Sequence, residues 1–277
     1  MRIKFLGTGS AFSLNNYQTN IALEHGGKWL LLDAGGDIRF SLRDAGLSYK
    51  DIDGVYISHL HTDHAGGIEY VGFSSYFDPS ITKKIKLYGN GELLRRGWEN
   101  TWKGGLESIQ GKLLDLDDFF DVQMIKSNGK FRWGGAECNI VQSVHIMNGY
   151  SIVLCFGLMI KTASKTIFWT ADTQYAPNQI MDFYGQADFI IQDCETGFKS
   201  GVHAHFSDLE GLPEEVKKKM ILVHYQDNVL DIDKKDSSNI PGINSEWKKR
   251  ATDAGFIGFA ERLQEYHLER LPDSLLK

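Results

Sequence analysis

Ser58-His59-Leu60-His61-Thr62-Asp63-His64 places three imidazoles and a carboxylate within six residues. Residues two apart in an extended segment point to the same side, so His59 and His61 can share one target. Asp63 and His64 lie where the chain turns toward Gly66-Gly67, and they can face a neighbouring target. Imidazole and carboxylate are the ligand types for zinc and similar divalent ions, so one such run can begin two metal sites side by side. A lone histidine beside an apolar strand is more often a satisfied core residue. Four converging polar groups would be hard to satisfy without a cation.

Two cations need more ligands than this run supplies. Three further positions stand at the ends of apolar runs: His145 after Asn139–Val144, Asp172 after Thr166–Thr170, and His224 after Met220–Val223. A strand that delivers a side chain from its end is how a rigid scaffold presents a site. Taken singly, each reads as structural. Taken with the first run, they complete two four-ligand shells, and the Asp172 carboxylate can bridge two cations.

The elements that must hold these residues are many strands with helices between them. The chain has 277 residues, and its 42% hydrophobic and 24% charged content is that of a globular protein. One large domain spanning 1–277 is expected, with 228–277 an extension whose packing the pattern does not fix. Asn20–Leu23 and Trp29–Leu32 flank His25-Gly26-Gly27-Lys28 and read as a hairpin. Asp37–Asp44 reads as a helix stopped by Gly46. Val55–Ser58 and Ile85–Tyr88 read as strands, and a helix is expected from Gly91 onward. Phe120–Ile125, Phe131–Trp133 and Cys138–Val144 look like successive strands, and Ser151–Ile160 with Thr166–Thr170 like a hairpin. Ala176–Phe183 and Pro213–Lys219 look helical, with strands at Phe189–Gln192 and Met220–Val223. Residues 237–242 read as an exposed loop. The sum is a layered α/β architecture with two sheets.

Composition also narrows the partners. Net charge is -6, which disfavours a protein whose main task is gripping long nucleic acid. Cys138, Cys155 and Cys194 are odd in number and widely spaced, which fits a reducing, cytoplasmic setting. No apolar run reaches the ~18–20 residues of a membrane helix, so no membrane association is expected. No signal-peptide pattern opens the chain.

The pattern His-x-His-x-Asp-His, followed by a distant His, an Asp and a final His at strand ends, resembles the metallo-β-lactamase superfamily. The opening Phe5-Leu6-Gly7-Thr8-Gly9-Ser10-Ala11-Phe12 and the segment Leu32-Asp33-Ala34-Gly35-Gly36 resemble it too, and the likeness runs from Met1 to about Tyr225. It implies a four-layer αββα sandwich with the site at one edge of the paired sheets. It also implies the ligand assignment: His59, His61, His145 and Asp172 on one metal, and Asp63, His64, Asp172 and His224 on the other. Asp33 would support the metal loop through hydrogen bonds.

The glycine-rich opening looks most like the ribonuclease Z and cyclic-nucleotide phosphodiesterase branch. Cys194-Glu195-Thr196-Gly197-Phe198 is similar to the His-Glu-Ala-Thr-Phe segment of ribonuclease Z, with Cys194 in place of its first histidine. His203-Ala204-His205-Phe206-Ser207 resembles the His-Ser-Thr segment that follows, with His205 the matching position. The proton-transfer role of the missing histidine would pass to His205, His203 or Glu195. The long basic arm with which ribonuclease Z holds transfer RNA has no counterpart here; Lys83-Lys84, Arg95-Arg96 and Lys217-Lys218-Lys219 read as solvated faces.

The resemblance therefore implies a dinuclear phosphodiesterase acting on a small phosphodiester or nucleotide, a cyclic nucleotide first. Two divalent ions are expected, zinc before manganese or iron. Asp63 would orient the attacking water and His205 would protonate the leaving alkoxide, with Glu195 completing the catalytic set. Alternatives are a ribonuclease Z-like endonuclease, or a lactonase or thioesterase on the same fold. An iron redox enzyme and a non-catalytic binding module are more distant. Family members are commonly dimers, which extends the expectation of a homodimer to this chain.

Overall fold

Ile21-Ala22-Leu23 and Trp29-Leu30-Leu31-Leu32 are apolar at consecutive positions, as strands are when both faces are covered. The computed structural model, which describes residues 1–235 and 240–270, covers both faces. Leu23, Leu30 and Leu32 pack into a core between two sheets, against Ile140, Leu158 and Trp169 of the opposite sheet. Ala22 and Leu31 turn the other way, onto Ile38, Leu42, Ile68 and Val71 of the helices outside. A third core closes the far side, where Met159, Phe168 and Ile190 meet Ile180, Tyr184 and Trp247. The result is the expected αββα sandwich.

The first sheet runs in the order Glu265–His267, Arg2–Gly7, Asn20–His25, Lys28–Leu32, Ile52–Tyr56, Ile85–Asn90, Phe120–Ile125. The second runs Gly258–Phe259, Met220–Val223, Phe189–Asp193, Thr166–Trp169, Phe156–Lys161, Ala136–Gln142, Lys130–Trp133. The expected hairpin is present, with Gly26 and Gly27 at φ 60° and 72°. Both central residues of its turn need the left-handed region, which glycine reaches without strain.

Several expectations are corrected. The three successive strands expected from Phe120 onward are present but divide between the sheets, Phe120–Ile125 pairing in parallel with Ile85–Asn90 in the first. Ser151–Cys155 is a loop with one bridge, Met147 to Ile152, and the strand starts at Phe156. The helix expected over Pro213–Lys219 is one turn, Glu214–Lys217, because the chain must straighten to enter Met220–Val223. The helix from Gly91 widens into a π-type turn at Trp98–Trp102, with both tryptophans buried. Trp102 Nε1 donates to the Ala65 carbonyl at 3.1 Å, which ties this helix to the histidine loop.

The segment after Asp227 is part of the sandwich. Helix Ser245–Ala254 is capped by the Asn244 side chain, which accepts from Trp247 N at 3.0 Å, and ends at Gly255 with φ 90°. Its Trp247 and Ala251 pack on the second sheet. Gly258–Phe259 and Glu265–His267 then add one edge strand to each sheet. Ile240 and Pro241 are buried rather than exposed. The rest of the expected loop, residues 237–239, and the terminal residues 271–277 lie outside the described residues. No helix among the described residues is long and apolar enough to cross a membrane.

One contact sets the histidine run against the second sheet. Tyr56, fully buried, donates its hydroxyl to the Phe156 carbonyl at 2.9 Å, and Phe156 N donates to Ser58 O at 3.0 Å. Tyr56→Phe is expected to cost about 1 kcal/mol, read as a lower urea midpoint at unchanged m-value. An unchanged midpoint would mean this clasp contributes nothing.

Candidate metal centre

His59 and His61 leave the end of the strand Ile52–Tyr56, and Asp63 and His64 lie in the helical turn Thr62–Ala65. That turn is held against the loop after Lys28–Leu32. Ala34 N donates to His64 O at 2.8 Å, and Gly67 N to Ala34 O at 2.8 Å. A Cβ on Gly35 would collide with the Asp63 carbonyl oxygen, so the close approach needs glycine there. Beneath, the fully buried Asp33 carboxylate accepts from Ser58 N (2.7 Å), Ser58 Oγ (2.7 Å) and His64 Nδ1 (2.7 Å).

These partners decide which nitrogens carry lone pairs. The Ser58 hydroxyl is spent on Asp33, so its oxygen accepts from His59 Nδ1 at 3.0 Å and His59 Nε2 is left without hydrogen. His145 Nδ1 donates to the Val202 carbonyl at 2.8 Å, which leaves its Nε2 bare too. Both bare nitrogens face His61 Nδ1, at 3.0 and 3.3 Å. Asp172 Oδ2 lies 3.7 Å from each of the same two Nε2 atoms. One ring hydrogen cannot serve this many acceptors, whereas a cation at their centre can. Burial holds the His59, His61 and His145 imidazoles below the usual histidine range, in the neutral form that ligation requires.

The second set repeats the logic with more negative charge. His64 Nδ1 is committed to Asp33, and its buried Nε2 has no hydrogen-bond partner among the described residues. That atom lies 3.0 Å from Asp63 Oδ2 and 3.2 Å from Asp172 Oδ2. His224 Nε2 is 3.2 Å from Asp63 Oδ2 and 3.6 Å from Asp172 Oδ2. Burial opposes charge on His64, but the Asp172, Asp63 and Asp33 carboxylates outweigh it and push the imidazole up. His224 is pushed up to about 10 against the same burial, chiefly by Asp172. Carboxylates that pull protons onto two buried histidines would equally favour divalent cations. In each four-residue set the donor atoms lie within 4.8 Å of one another, and Asp172 belongs to both. The residues therefore fit two neighbouring divalent ions.

Three of the five non-glycine residues with positive φ among the described residues stand at this centre: Asp33 (63°), Ala171 (51°) and His224 (65°). Strain of this kind collects at functional sites and needs surroundings that over-determine it. For His224 those surroundings are the glycine-rich opening of the chain. His224 N donates to Thr8 O at 2.8 Å, and Ser10 N to Tyr225 O at 3.0 Å. The Tyr225 hydroxyl meets Thr8 Oγ1 at 2.7 Å and donates to Ala260 O at 2.7 Å.

The structure brings His203 to the cluster, and not His205. His205 sits at the surface as the cap of Phe206–Leu209: Ser207 N donates to its Nδ1 at 3.2 Å, and its Nε2 lies 3.2 Å from Gly197 O. His203 Nδ1 donates to Asp193 Oδ2 at 2.8 Å, and its ring lies 4.9 Å from His145 and 4.8 Å from His224. Burial opposes charge on His203, but Asp193 outweighs it and pushes the imidazole up. Glu195, like His205, belongs to none of the candidate ligand groups. Its Oε2 accepts from Ser200 N at 2.7 Å, and its backbone brackets the histidine segment through Glu195 N to Ala204 O and Phe206 N to Glu195 O. Glu195 therefore shapes the loop that carries His203.

Asp193 is the residue that sequence reasoning missed; His203 stood there beside His205 and Glu195 as one of three candidates for the proton transfer. Asp193 is buried and also accepts from Thr173 N at 2.9 Å, beside Asp172; its Oδ1 lies 3.4 Å from His224 Nδ1. The usable signal was the one that marked Asp172, a carboxylate at the end of an apolar strand. Cys194, next in the chain, faces the helix-side core with Phe206 and Leu222, which explains a thiol there. Burial pushes that thiol up, so it is no nucleophile.

Asp33→Asn keeps the shape but loses the acceptor that fixes His64 Nδ1. Affinity for Zn2+ in chelator competition is expected to fall about 10–100-fold with the fold retained. Wild-type affinity would show that Asp33 does not orient the ligand.

A family model described as anti-Pycsar protein Apyc1 matches residues 1–240. Curated relatives of that name include one from Paenibacillus harenae, 34% identical over 231 residues covering 83% of this chain and 91% of the relative. Another, from Paenibacillus xerothermodurans, is 31% identical over 234 residues covering 83% and 89%. Among solved structures, the metallo-β-lactamase fold protein YhfI from Bacillus subtilis superposes with a TM-score of 0.67 at 16% identity, covering 96% of this chain and 99% of that one. The short form of human tRNase Z gives 0.67 at 16% identity, covering 97% and 99%. These last two likenesses are of fold.

Proposed function

The chain belongs to the Apyc1 family of anti-Pycsar proteins and is a metal-dependent hydrolase of metallo-β-lactamase fold; from that premise we propose that it is a dinuclear phosphodiesterase that opens a cyclic nucleotide. The observation that carries the reading is one oxygen, Asp172 Oδ2, which stands within 3.2–3.7 Å of a nitrogen from each of four histidines, two in each ligand set. Bound there, two divalent ions supply a water made acidic enough to attack at neutral pH and neutralise charge on a phosphoryl group.

The chain's own residues do the rest. His59, His61 and His145 would hold one cation and Asp63, His64 and His224 the other, with Asp172 in both sets. Asp63 would also accept a hydrogen bond from the attacking water and so orient it. His203 is the general acid: Asp193 fixes its Nδ1–H, which leaves Nε2 to hand a proton to the leaving ribose oxygen. Zinc suits this donor set, and manganese or iron also suit a site of imidazoles and carboxylates. A small substrate fits an acidic chain without a basic arm at its site better than a long RNA does.

The test is a substrate panel on metal-loaded protein: 3′,5′-cyclic nucleotides, bis(p-nitrophenyl) phosphate, a precursor tRNA, a lactone and nitrocefin. Opening of a cyclic nucleotide to its monophosphate, faster than any other turnover, is the expected result. Turnover confined to the lactone or nitrocefin would keep the metal centre and discard the phosphodiester; preference for the tRNA would discard the small substrate.

A further inference from the structure

Lys83 and Lys84, which read as a solvated face in the sequence, are gathered by the fold with cations from other segments into one cleft of about 500 Å³. Lys28, Lys50, Lys83, Lys84, Lys86 and Arg132 line it, against a single carboxylate, Asp53. That carboxylate is already engaged, accepting from Trp29 N at 2.8 Å. Lys50 and Lys86 are paired with Asp78 and Asp121 at 2.6 and 2.9 Å. Lys28, Lys83 and Arg132 make no ion pair with any described residue, and all three are exposed. In a chain of net charge -6 this is a local reversal of sign.

A second observation points to a ligand. Trp133 belongs to the wall of the cleft and is 4% exposed, yet its indole N–H finds no acceptor among the described residues. A buried donor without an acceptor is costly, and here it stands in the wall of the cleft, closed to solvent. The hydroxyls of Ser80 and Thr82 line the same space.

The cleft is separate from the metal centre. Lys28–Leu32, Ile52–Tyr56 and Ala136–Gln142 all begin at the cleft end, and their far ends lead to Asp33, His59 and His145. At ~3.3 Å per residue, strands of this length set the two places roughly 15 Å or more apart. One small ligand cannot span both.

We propose that this cleft is a second binding site, for a nucleotide-sized phosphorylated anion. Unpaired cations supply charge-assisted hydrogen bonds to phosphoryl oxygens. The Thr82 hydroxyl is a further polar group at the cleft, whereas the Ser80 hydroxyl is already donated to Asp78 at 2.7 Å, and the volume is that of a small-molecule pocket. The proposal does not rest on the reading of the metal centre.

Calorimetric titration with 5′-AMP, inorganic phosphate and adenosine tests it, on metal-loaded wild type, on Asp172→Ala and on the double variant Lys83→Glu/Arg132→Glu. A saturable 5′-AMP event is expected that survives Asp172→Ala and weakens at least about tenfold in the double variant. Both substituted side chains are exposed, so the double variant should keep the wild-type melting temperature and hydrolytic rate. Lys83→Arg/Arg132→Lys should restore binding. Should Asp172→Ala fail to fold, the double variant decides alone, by losing one of two 5′-AMP events. Binding unchanged by charge reversal, no event beyond one at the metal centre, or adenosine binding as tightly as 5′-AMP would each overturn the proposal.

Discussion

Asp172→Ala is expected to empty both cation positions at once. Its Oδ2 lies 3.2 Å from His64 Nε2, 3.6 Å from His224 Nε2 and 3.7 Å from the Nε2 atoms of His59 and His145. No other carboxylate belongs to both ligand sets. Removing it leaves one set with three neutral imidazoles and the other with a single carboxylate, Asp63. Metal content should fall from about two per chain to below one, and turnover by about 10³-fold or more, since one misplaced stabilising group alone costs 10²–10³. Elemental analysis after gel filtration, with circular dichroism to confirm folding, reads both effects. Two retained metals would end the bridging assignment.

His203→Ala is expected to separate substrates by their leaving groups. A general acid contributes about 10²–10⁴-fold where the leaving oxygen needs a proton, as a ribose alkoxide does. p-Nitrophenolate leaves unaided, so loss on bis(p-nitrophenyl) phosphate should stay below about tenfold. Metal content should not change, because His203 Nδ1 is committed to Asp193 and His203 is in neither of the two ligand sets proposed above, although it also groups with Asp172, Asp193 and His224. Asp193→Asn, which leaves His203 without its fixed acceptor, should give a milder form of the same split. His205→Ala should leave the substrate ratio unchanged and cost about 1 kcal/mol of stability through the lost helix cap. Equal losses on both substrates in His203→Ala, or the split appearing in His205→Ala instead, would remove His203 from the role.

The contrast between His203 and His205 shows what the sequence could carry. The run His59–His64 was legible because four ligand-type residues lay within six positions at the end of an apolar strand. His145, Asp172 and His224 were legible for the same reason, and the structure brings all seven residues together. A strand end followed by a ligand is a local pattern. Which of two histidines in His-x-His faces a site is not local, since both point to one side of an extended segment. Here the bridge between Glu195 and His205 ties the second to the loop, and only the fold supplies that pairing. Asp193 was hidden likewise: it and Cys194 are adjacent, and the strand's face decides which one meets the histidines of the site.

The architecture divides along the same line. Hairpins and helices appear in periodicity and in turns such as Gly26-Gly27. Sheet membership does not: Phe120–Ile125 and the strands that follow it read as successive, and only the fold shows that they belong to different sheets. The two- and three-residue edge strands at Gly258–Phe259 and Glu265–His267 are too short to carry a pattern and exist because a sheet edge receives them. The basic cleft was invisible because its cations come from distant segments.

In the proposed mechanism one carboxylate organises two cations for phosphodiester hydrolysis. The most direct measurement is turnover of a 3′,5′-cyclic nucleotide as metal-free protein is titrated with Zn2+ or Mn2+, with bound metal counted on the same samples. Activity that stays near background through the first equivalent and rises with the second, to about two metals per chain, is the predicted result. Full activity at one metal per chain, or two bound metals with no cyclic-nucleotide turnover, would contradict it.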